Sequence, residues 1–278
     1  MVSRQVALVT GASSGIGQAT AEVLAAHGFT VFGGSRTPFQ GERSYTWLPL
    51  DVRSDTSVEA AVQTVLEQAG HIDVLVNAAG YAQFGAIEEN SIAEAQAQFE
   101  TNLMGVLRMV KAVLPVMRQQ GSGRIINISS IIGQVAPAFA GLYATSKFAL
   151  EGLTEALREE VRVFGIEVAL VEPSFVKTGI VLRQPMTPIA AYTPARQAAL
   201  QVANAGFQKA MEPGTVAQII WRAVTARPRL RYLVGRDAKT LMVFKRLLPA
   251  SLFERLCRRV FGGGKLPAPQ IQKRAAVE

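Results

Sequence analysis

The chain has 278 residues, of which 49% are hydrophobic and 18% charged, a composition that supports one large buried core. Cys257 is the single cysteine, which excludes an intrachain disulfide and suits a reducing compartment. The net charge of +8 is uneven, because residues 222–278 carry 14 Lys and Arg against three Asp and Glu, whereas residues 1–221 carry 15 against 18. This distribution argues against nucleic-acid binding by the main body.

Membrane-spanning segments and metal-binding motifs are not expected. The first predicted strand starts close to Met1, and no apolar run approaches the ~18 residues of a spanning helix. We therefore expect no signal peptide and a cytoplasmic protein. The two histidines, His27 and His71, stand near neither a cysteine nor a paired acidic motif, so no bound metal is expected.

A glycine-rich turn opens the chain. Residues 5–10 read as a buried strand, and they run into Gly11-Ala-Ser-Ser-Gly-Ile-Gly17 and then a helical pattern that ends at Gly28. Glycines let the backbone approach a pyrophosphate, and the amides at a helix N-terminus favour its negative charge. The spacing departs from G-x-G-x-x-G, and a glycine turn without a ligand is the alternative. Ser13 and Ser14 add hydroxyl groups to this turn.

Further strands and helices alternate along the chain. Predicted strands cover residues 29–34, 45–50, 72–77, 124–129 and 166–171. Thr56 to Glu59 fits a capping box for a helix that ends at Gly70, and Ser91 to Glu94 caps a helix that runs past Asn102. This alternation predicts a doubly wound parallel sheet of the Rossmann type, whose ligands bind at the carboxyl ends of the strands.

Tyr143 and Lys147 stand four residues apart in a stretch with helical spacing, so both point from one helix face. A fixed cation beside a phenol favours the phenolate, and each unit of lowered pKa corresponds to ~1.4 kcal/mol. Such a tyrosine acts as acid or base near neutral pH. A surface Tyr and Lys on an amphipathic helix is the alternative for this pair taken alone.

The residues after the second strand read Gly34-Ser35-Arg36. Dinucleotide folds that prefer NAD place an acid here, whereas an Arg accommodates the 2′-phosphate of NADP. No acid is present, and Arg36 offers a fork of donors to a phosphate. The position predicts NADP, with a solvated surface Arg as the alternative.

Five motifs in this order resemble the short-chain dehydrogenase/reductase family. They are Thr10-Gly-x-x-x-Gly-x-Gly17, Asn77-Ala-Ala-Gly80, Asn102, Ser130 and Tyr143-x-x-x-Lys147. The resemblance runs from about Val2 through Thr178 and more loosely to about Gly235. Length and the basic C-terminal segment look most like the steroid, retinal or carbonyl reductase branches.

The resemblance implies catalytic roles for Asn102, Ser130, Tyr143 and Lys147. Tyr143 transfers the proton, Lys147 lowers its pKa and holds the nicotinamide ribose, and Ser130 bonds the substrate oxygen. Asn102 interrupts its helix and supports a water-linked proton relay to the lysine. Ser129 is the rival of Ser130, but neighbours on a strand face opposite ways.

The resemblance also implies a set of cofactor contacts. Asp51 and Val52 meet the adenine edge, Thr178 binds the carboxamide, and Ser174 replaces the glycine that is more usual after Pro173. The predicted cofactor-binding residues are Gly11, Ser13, Ser14, Gly15, Ile16, Gly17, Ser35, Arg36, Asp51, Val52, Asn77, Ala78, Gly80, Tyr143, Lys147, Pro173, Ser174, Val176 and Thr178.

The substrate pocket is predicted to be apolar, with a helical lid over about residues 181–212. Its candidate lining residues are Phe84, Ile132, Val135, Phe139, Phe175 and Ile180. We assign residues 1–235 to the catalytic domain and 236–278 to a basic helical appendage. Two short helices are expected between Arg236 and Phe261, the second of them capped by Ser251. These helices cover the pocket, touch an anionic membrane surface, or only pack on the catalytic domain.

These observations predict an NADP-dependent enzyme that interconverts an apolar or aromatic ketone and a secondary alcohol. The alternatives are a 3-oxoacyl thioester reductase of the same family and a non-catalytic NADP-sensing protein. The resemblance also implies a homodimer or homotetramer.

Overall fold

The computed structural model describes residues 4–38, 41–180 and 182–261. In this part of the chain the main sheet has seven parallel strands in the spatial order β3-β2-β1-β4-β6-β7-β9. They are β1 Val6–Thr10, β2 Thr30–Ser35, β3 Thr46–Pro49, β4 Val74–Asn77, β6 Gly123–Ile128, β7 Ile166–Pro173 and β9 Arg231–Val234. The order reverses between β1 and β4, so the predicted doubly wound fold is confirmed.

Helices cover both faces of the sheet. Buried apolar side chains from α1 (Gly15–Ala26) and α7 (Pro213–Thr225) pack on one face. The other face is covered by α2 (Asp55–Ala69), α4 (Gly105–Gln120) and α5 (Gly141–Val161). Because both faces are covered, the central strands β1 and β4 are buried along their whole length rather than on alternate residues. The helix α3 (Ile92–Phe99) continues through one π-helical turn, Glu100–Met104, into α4.

Several elements differ from the sequence-based expectation. Strand β9 was not predicted, because it is a four-residue edge strand, and neither was the short parallel pair β5 (Ala82–Gln83) and β8 (Leu182–Arg183). The capping box at Thr56 is wrong: the Ser54 side chain accepts from Ser57 N, so α2 starts one residue before Thr56.

Two segments lie over the carboxyl edge of the sheet. The predicted lid contains α6 (Thr193–Gln208), preceded by a 3₁₀ turn, Ala190–Tyr192. The C-terminal segment forms α8 (Arg236–Leu247) and α9 (Ala250–Val260), and Pro249 rather than Ser251 precedes the second helix. Position 181 of the predicted lid and positions 262–278 of the predicted appendage lie outside the described residues. No helix among those described is both long enough and apolar enough to span a bilayer.

Candidate active site

A cavity of about 430 Å³ opens at the carboxyl edge of the sheet. The glycine turn and the ends of β2 and β3 line one end of it, and apolar side chains line the other. Ser130, Tyr143 and Lys147 lie on its wall between the two ends. The convergence expected for the ends of parallel strands is therefore present.

Tyr143 and Lys147 project from α5, while Ser130 lies two residues beyond the end of β6. The Lys147 ammonium lies 5.8 Å from the centroid of the Tyr143 ring and donates to the carbonyl of Ile128 at 2.7 Å. Ser130 Oγ accepts from Ile132 N at 3.2 Å and makes a long contact of 3.4 Å to the carbonyl of Pro173. That weak contact leaves the Ser130 hydroxyl free to turn toward a substrate oxygen.

Burial controls the titration of both Tyr143 and Lys147. It raises the pKa of Tyr143 to about 12, and the hydroxyl of Ser130 opposes this shift only in part. It lowers the pKa of Lys147 to about 8, against the charge of Glu151. The expectation that Lys147 lowers the Tyr143 pKa is thus not met, since the ammonium faces the ring and a carbonyl and desolvation disfavours both charged forms.

Asn102 lies in the π-helical turn between α3 and α4, so the expected helix interruption is present. Its side chain accepts from Tyr81 N at 3.2 Å and donates to the carbonyl of Tyr81 at 3.0 Å and to Ser146 Oγ at 3.2 Å. Ser146 belongs to α5, one residue before Lys147. Asn102 therefore ties the interrupted helix to the helix that carries Lys147, and it does not itself line the cavity.

The glycine turn brings two backbone segments closer than a side chain would allow. A Cβ at Gly17 would lie 2.3 Å from the carbonyl oxygen of Gly11, and Gly11 itself has a φ of +68°. The following helix begins without a side-chain cap from Ser14 and without an acid in its first turn. Its first amides are thus left for an anion from the cavity, as a dinucleotide pyrophosphate requires.

The end of β2 places Arg36 in the cavity wall with an exposed side chain. Ser35 also lines the cavity, but its hydroxyl donates to the carbonyl of Thr37 at 2.7 Å and accepts from Trp47 Nε1 at 3.0 Å. Ser35 therefore has no free proton to donate to a phosphate. A bidentate bond from Arg53, at 2.6 Å for its closest pair, lowers the pKa of Asp51 to about 2.

Nearly all the predicted cofactor residues line the cavity, and Asn77 is the exception. Asn77 Nδ2 donates to Asn127 Oδ1 at 2.9 Å, and Asn127 in turn donates to Thr154 Oγ1 at 3.0 Å. This buried row runs across β4 and β6 to α5. Asn77 is buried and bonded across the sheet and is not among the residues that line the cavity, so the prediction of a direct cofactor contact is corrected for Asn77.

The substrate end is apolar, as expected. The lining residues predicted there include Phe84, Ile132, Phe175 and Ile180, joined by Val202 and Phe207 of the lid and Phe261 after α9. Val135 and Phe139 do not line the cavity, which corrects those two predictions. Val135 packs against Leu241 of α8, and Phe139 stacks behind Phe84 with ring centroids 6.4 Å apart.

Sequence reasoning missed Phe261 and Arg183, because neither stands near a motif. Arg183 lies on β8 and places its guanidinium 4.1 Å from the Tyr81 ring centroid. Among the described residues that line the substrate end of the cavity, Arg183 is the only charged one apart from Lys147.

Two polar contacts hold the covering segments in place. The buried Glu89 carboxylate pairs with Arg196 of α6 and accepts from Ile189 N at 2.9 Å. Ser174 Oγ donates to Asp237 Oδ1 at 2.8 Å, in the first turn of α8. The serine that replaces the usual glycine therefore connects the end of β7 to the appendage.

Comparisons with known proteins agree with this geometry. The sequence profile described as short chain dehydrogenase matches residues 5–187. A 3-ketodihydrosphingosine reductase of Bacteroides thetaiotaomicron is 45% identical over 175 residues, which cover 63% of this chain and 65% of that protein. The uncharacterized oxidoreductase YusZ of Bacillus subtilis is 36% identical over 278 residues, which cover 93% of this chain and 99% of that protein.

Among solved structures, a short-chain dehydrogenase from Streptomyces avermitilis superposes with a TM-score of 0.77 at 34% identity, covering 93% of this chain and 99% of that one. A short-chain dehydrogenase/reductase from Burkholderia phymatum in complex with NAD superposes with a TM-score of 0.75 at 26% identity, covering 88% and 95%. The resemblance found in the sequence is confirmed, and the chain belongs to the short-chain dehydrogenase family.

Proposed function

We propose that this protein is an NADPH-dependent reductase of a bulky, apolar ketone. The observation that carries the proposal is one continuous cavity in which Ser130, Tyr143 and Lys147 separate a glycine-lined end from an apolar end. The first end fits a dinucleotide, and the second fits a hydrocarbon. The similarity to a 3-ketodihydrosphingosine reductase supports a long-chain ketone.

A nicotinamide cofactor held along the glycine turn supplies the hydride when bound. Its pyrophosphate would lie against the N-terminus of α1, and Arg36 would meet a 2′-phosphate. No acidic residue follows β2 at this place to bond two free ribose hydroxyls, which supports NADP over NAD.

The protein's own residues supply polarisation and the proton. Ser130 donates to the carbonyl oxygen, and the bond from Ile132 N to its own oxygen strengthens that donation. Tyr143, whose raised pKa keeps it protonated at neutral pH, then protonates the developing alkoxide. The Lys147 ammonium stabilises the phenolate that remains. A protonated phenol is the form needed for reduction.

The exposed side of α8 and α9 fits an anionic lipid surface, from which a long-chain ketone would be drawn. Leu247 is 74% exposed and Leu252 is 46% exposed, on either side of the turn between the helices. Exposed basic residues flank them, namely Lys239, Arg246, Arg255, Arg258 and Arg259. Binding to anionic vesicles should fall in Leu247→Asp and not in Val163→Asp, a control position that is 80% exposed. Equal binding of both variants would remove this part of the proposal.

The decisive experiment follows NADPH oxidation with 3-ketodihydrosphingosine, aliphatic, aromatic and steroidal ketones, and 3-oxoacyl thioesters. We expect turnover of the apolar ketones and none of the thioesters. A preference for acyl thioesters would favour that reductase instead. NADPH binding with no turnover of any carbonyl would favour the sensing protein.

A further inference from the structure

A cluster of three carboxyl groups and one guanidinium lies behind the catalytic lysine. Glu151 of α5 and Glu172 of β7 are 5% and 1% exposed. Arg231 Nε on β9 lies 3.0 Å from a carboxylate oxygen of each, and the same side chain pairs with the more exposed Glu155. Gln134 Nε2 donates to both buried carboxyls, at 3.2 and 3.4 Å.

The buried pair cannot carry two negative charges easily. Burial raises the pKa of Glu172, and the neighbouring Glu151 raises it further, while Arg231 opposes the shift. Two carboxyl groups in one low-dielectric site do not both ionise readily. The pKa of Glu172, raised to about 8, therefore keeps this carboxyl group protonated at neutral pH.

Glu151 lies one helical turn from Lys147. Glu151 follows Lys147 by four residues on α5, which places both on one helix face, and both are buried. Glu151 raises the pKa of the lysine, against burial, which lowers it. Glu151 Oε1 accepts no hydrogen bond from the described residues, so no donor there neutralises this oxygen.

Charged groups from four elements surround the pair. Lys147, Glu151 and Glu155 come from α5, Glu172 from β7 and Arg231 from β9. From α8, Lys245 donates to Gln134 O at 2.6 Å and to Gln134 Oε1 at 3.2 Å. Lys245 thus reaches the pair only through Gln134.

We propose that Glu151 and Glu172 form a charge-setting pair: Glu172 stays neutral beside Glu151, and the Glu151 carboxylate keeps Lys147 an ammonium during ketone reduction. Glu151 is a positioning residue, since it acts through Lys147 and does not line the cavity. The catalytic consequence rests on the proposed function, whereas the charge of Lys147 does not.

The test compares Glu151→Gln with Glu155→Gln, a matched variant on the same helix whose side chain is 52% exposed and also pairs with Arg231. Two readouts are used: NMR titration of the ¹³Cε-labelled Lys147 side chain, assigned with Lys147→Arg, and the pH profile of kcat/KM for reduction. In the parent the ammonium is present below about pH 8 and is lost as the pH rises.

Glu151→Gln should shift both transitions about one unit toward lower pH, and Glu155→Gln should leave them in place. Glu172→Gln, which fixes the neutral form, should leave both transitions in place as well, whereas Glu151→Ala, which also removes the Glu151 charge, should shift them in the same direction as Glu151→Gln. Glu151→Ala also serves as the test if Glu151→Gln does not fold. An unchanged Lys147 titration in a folded variant at position 151 overturns the proposal. A shifted Lys147 titration in a protein that reduces no ketone supports the proposal about Glu151 and contradicts the proposed function.

Discussion

The two ends of the cavity are built by different means. The cofactor end consists mainly of backbone: the turn around Gly17, the uncapped start of α1 and the strand ends next to it. The substrate end consists of side chains from segments far apart in sequence, such as Phe84, Phe175 and Phe261. A substitution in a surface formed by backbone changes the path of the chain and so the shape of the whole surface. A substitution in a surface formed by side chains alters only the part that this one residue contributes. Substitutions should therefore act differently at the two ends.

The largest effect is expected between the ends, at the reacting atoms. Tyr143→Phe removes the proposed proton donor and should lower ketone reduction by 10² to 10⁴, the usual contribution of general acid catalysis. NADPH affinity, measured by fluorescence titration, should remain near that of the parent. Tyr232→Phe, which changes a hydroxyl near Arg227 and Arg229, is the control. More than about a tenth of the parent rate in Tyr143→Phe would require another acid.

At the cofactor end, Arg36→Ala should reduce the preference for NADPH over NADH. A charge-assisted bond to a phosphate contributes about 1.5–3 kcal/mol, or roughly 10- to 150-fold in kcat/KM. The exposed Arg222→Ala on α7 controls for the loss of one positive charge. Steady-state kinetics with both cofactors measure the ratio, and equal kcat/KM values in the parent would contradict the assignment.

Gly17→Ala tests how rigid the backbone surface is. The added Cβ would collide with the carbonyl of Gly11, so we expect a loss of about 1–3 kcal/mol in the free energy of unfolding together with weaker NADPH binding. Gly152→Ala has open space around its Cβ within α5 and should be stabilising by about 0.5–1 kcal/mol. Urea unfolding of both variants checks the pair. Similar changes in both would show that the close approach at Gly17 has little effect.

The smallest effect is expected at the substrate end. Phe261→Ala removes one apolar wall of the cavity and should raise KM for a bulky ketone about fivefold, corresponding to roughly 1 kcal/mol, with kcat retained. Phe244→Ala, on the exposed side of α8, is the matched control. If the two variants behave alike with a soluble ketone, the appendage does not form part of the substrate site.

The same contrast explains which features could be read from the residues alone. The order of strands and helices, the glycine turn and the pairing of Tyr143 with Lys147 depend on neighbours within a few residues, so periodicity and spacing predicted them. The π-helical turn at Asn102 could be located only through the family resemblance. Edge strand β9 left too short a pattern to recognise.

Other features depend on contacts between segments that are distant along the chain. Asn77 is buried in the sheet because it donates to Asn127, which in turn donates to Thr154. The hydroxyl of Ser35 accepts a hydrogen bond from Trp47 Nε1. The buried pair of Glu151 and Glu172 exists because Arg231 arrives from the last strand, about 60 residues beyond Glu172. Burial also reversed the expected pKa shift of Tyr143, since local sequence specifies which groups are neighbours along a helix, whereas desolvation depends on everything that packs around them.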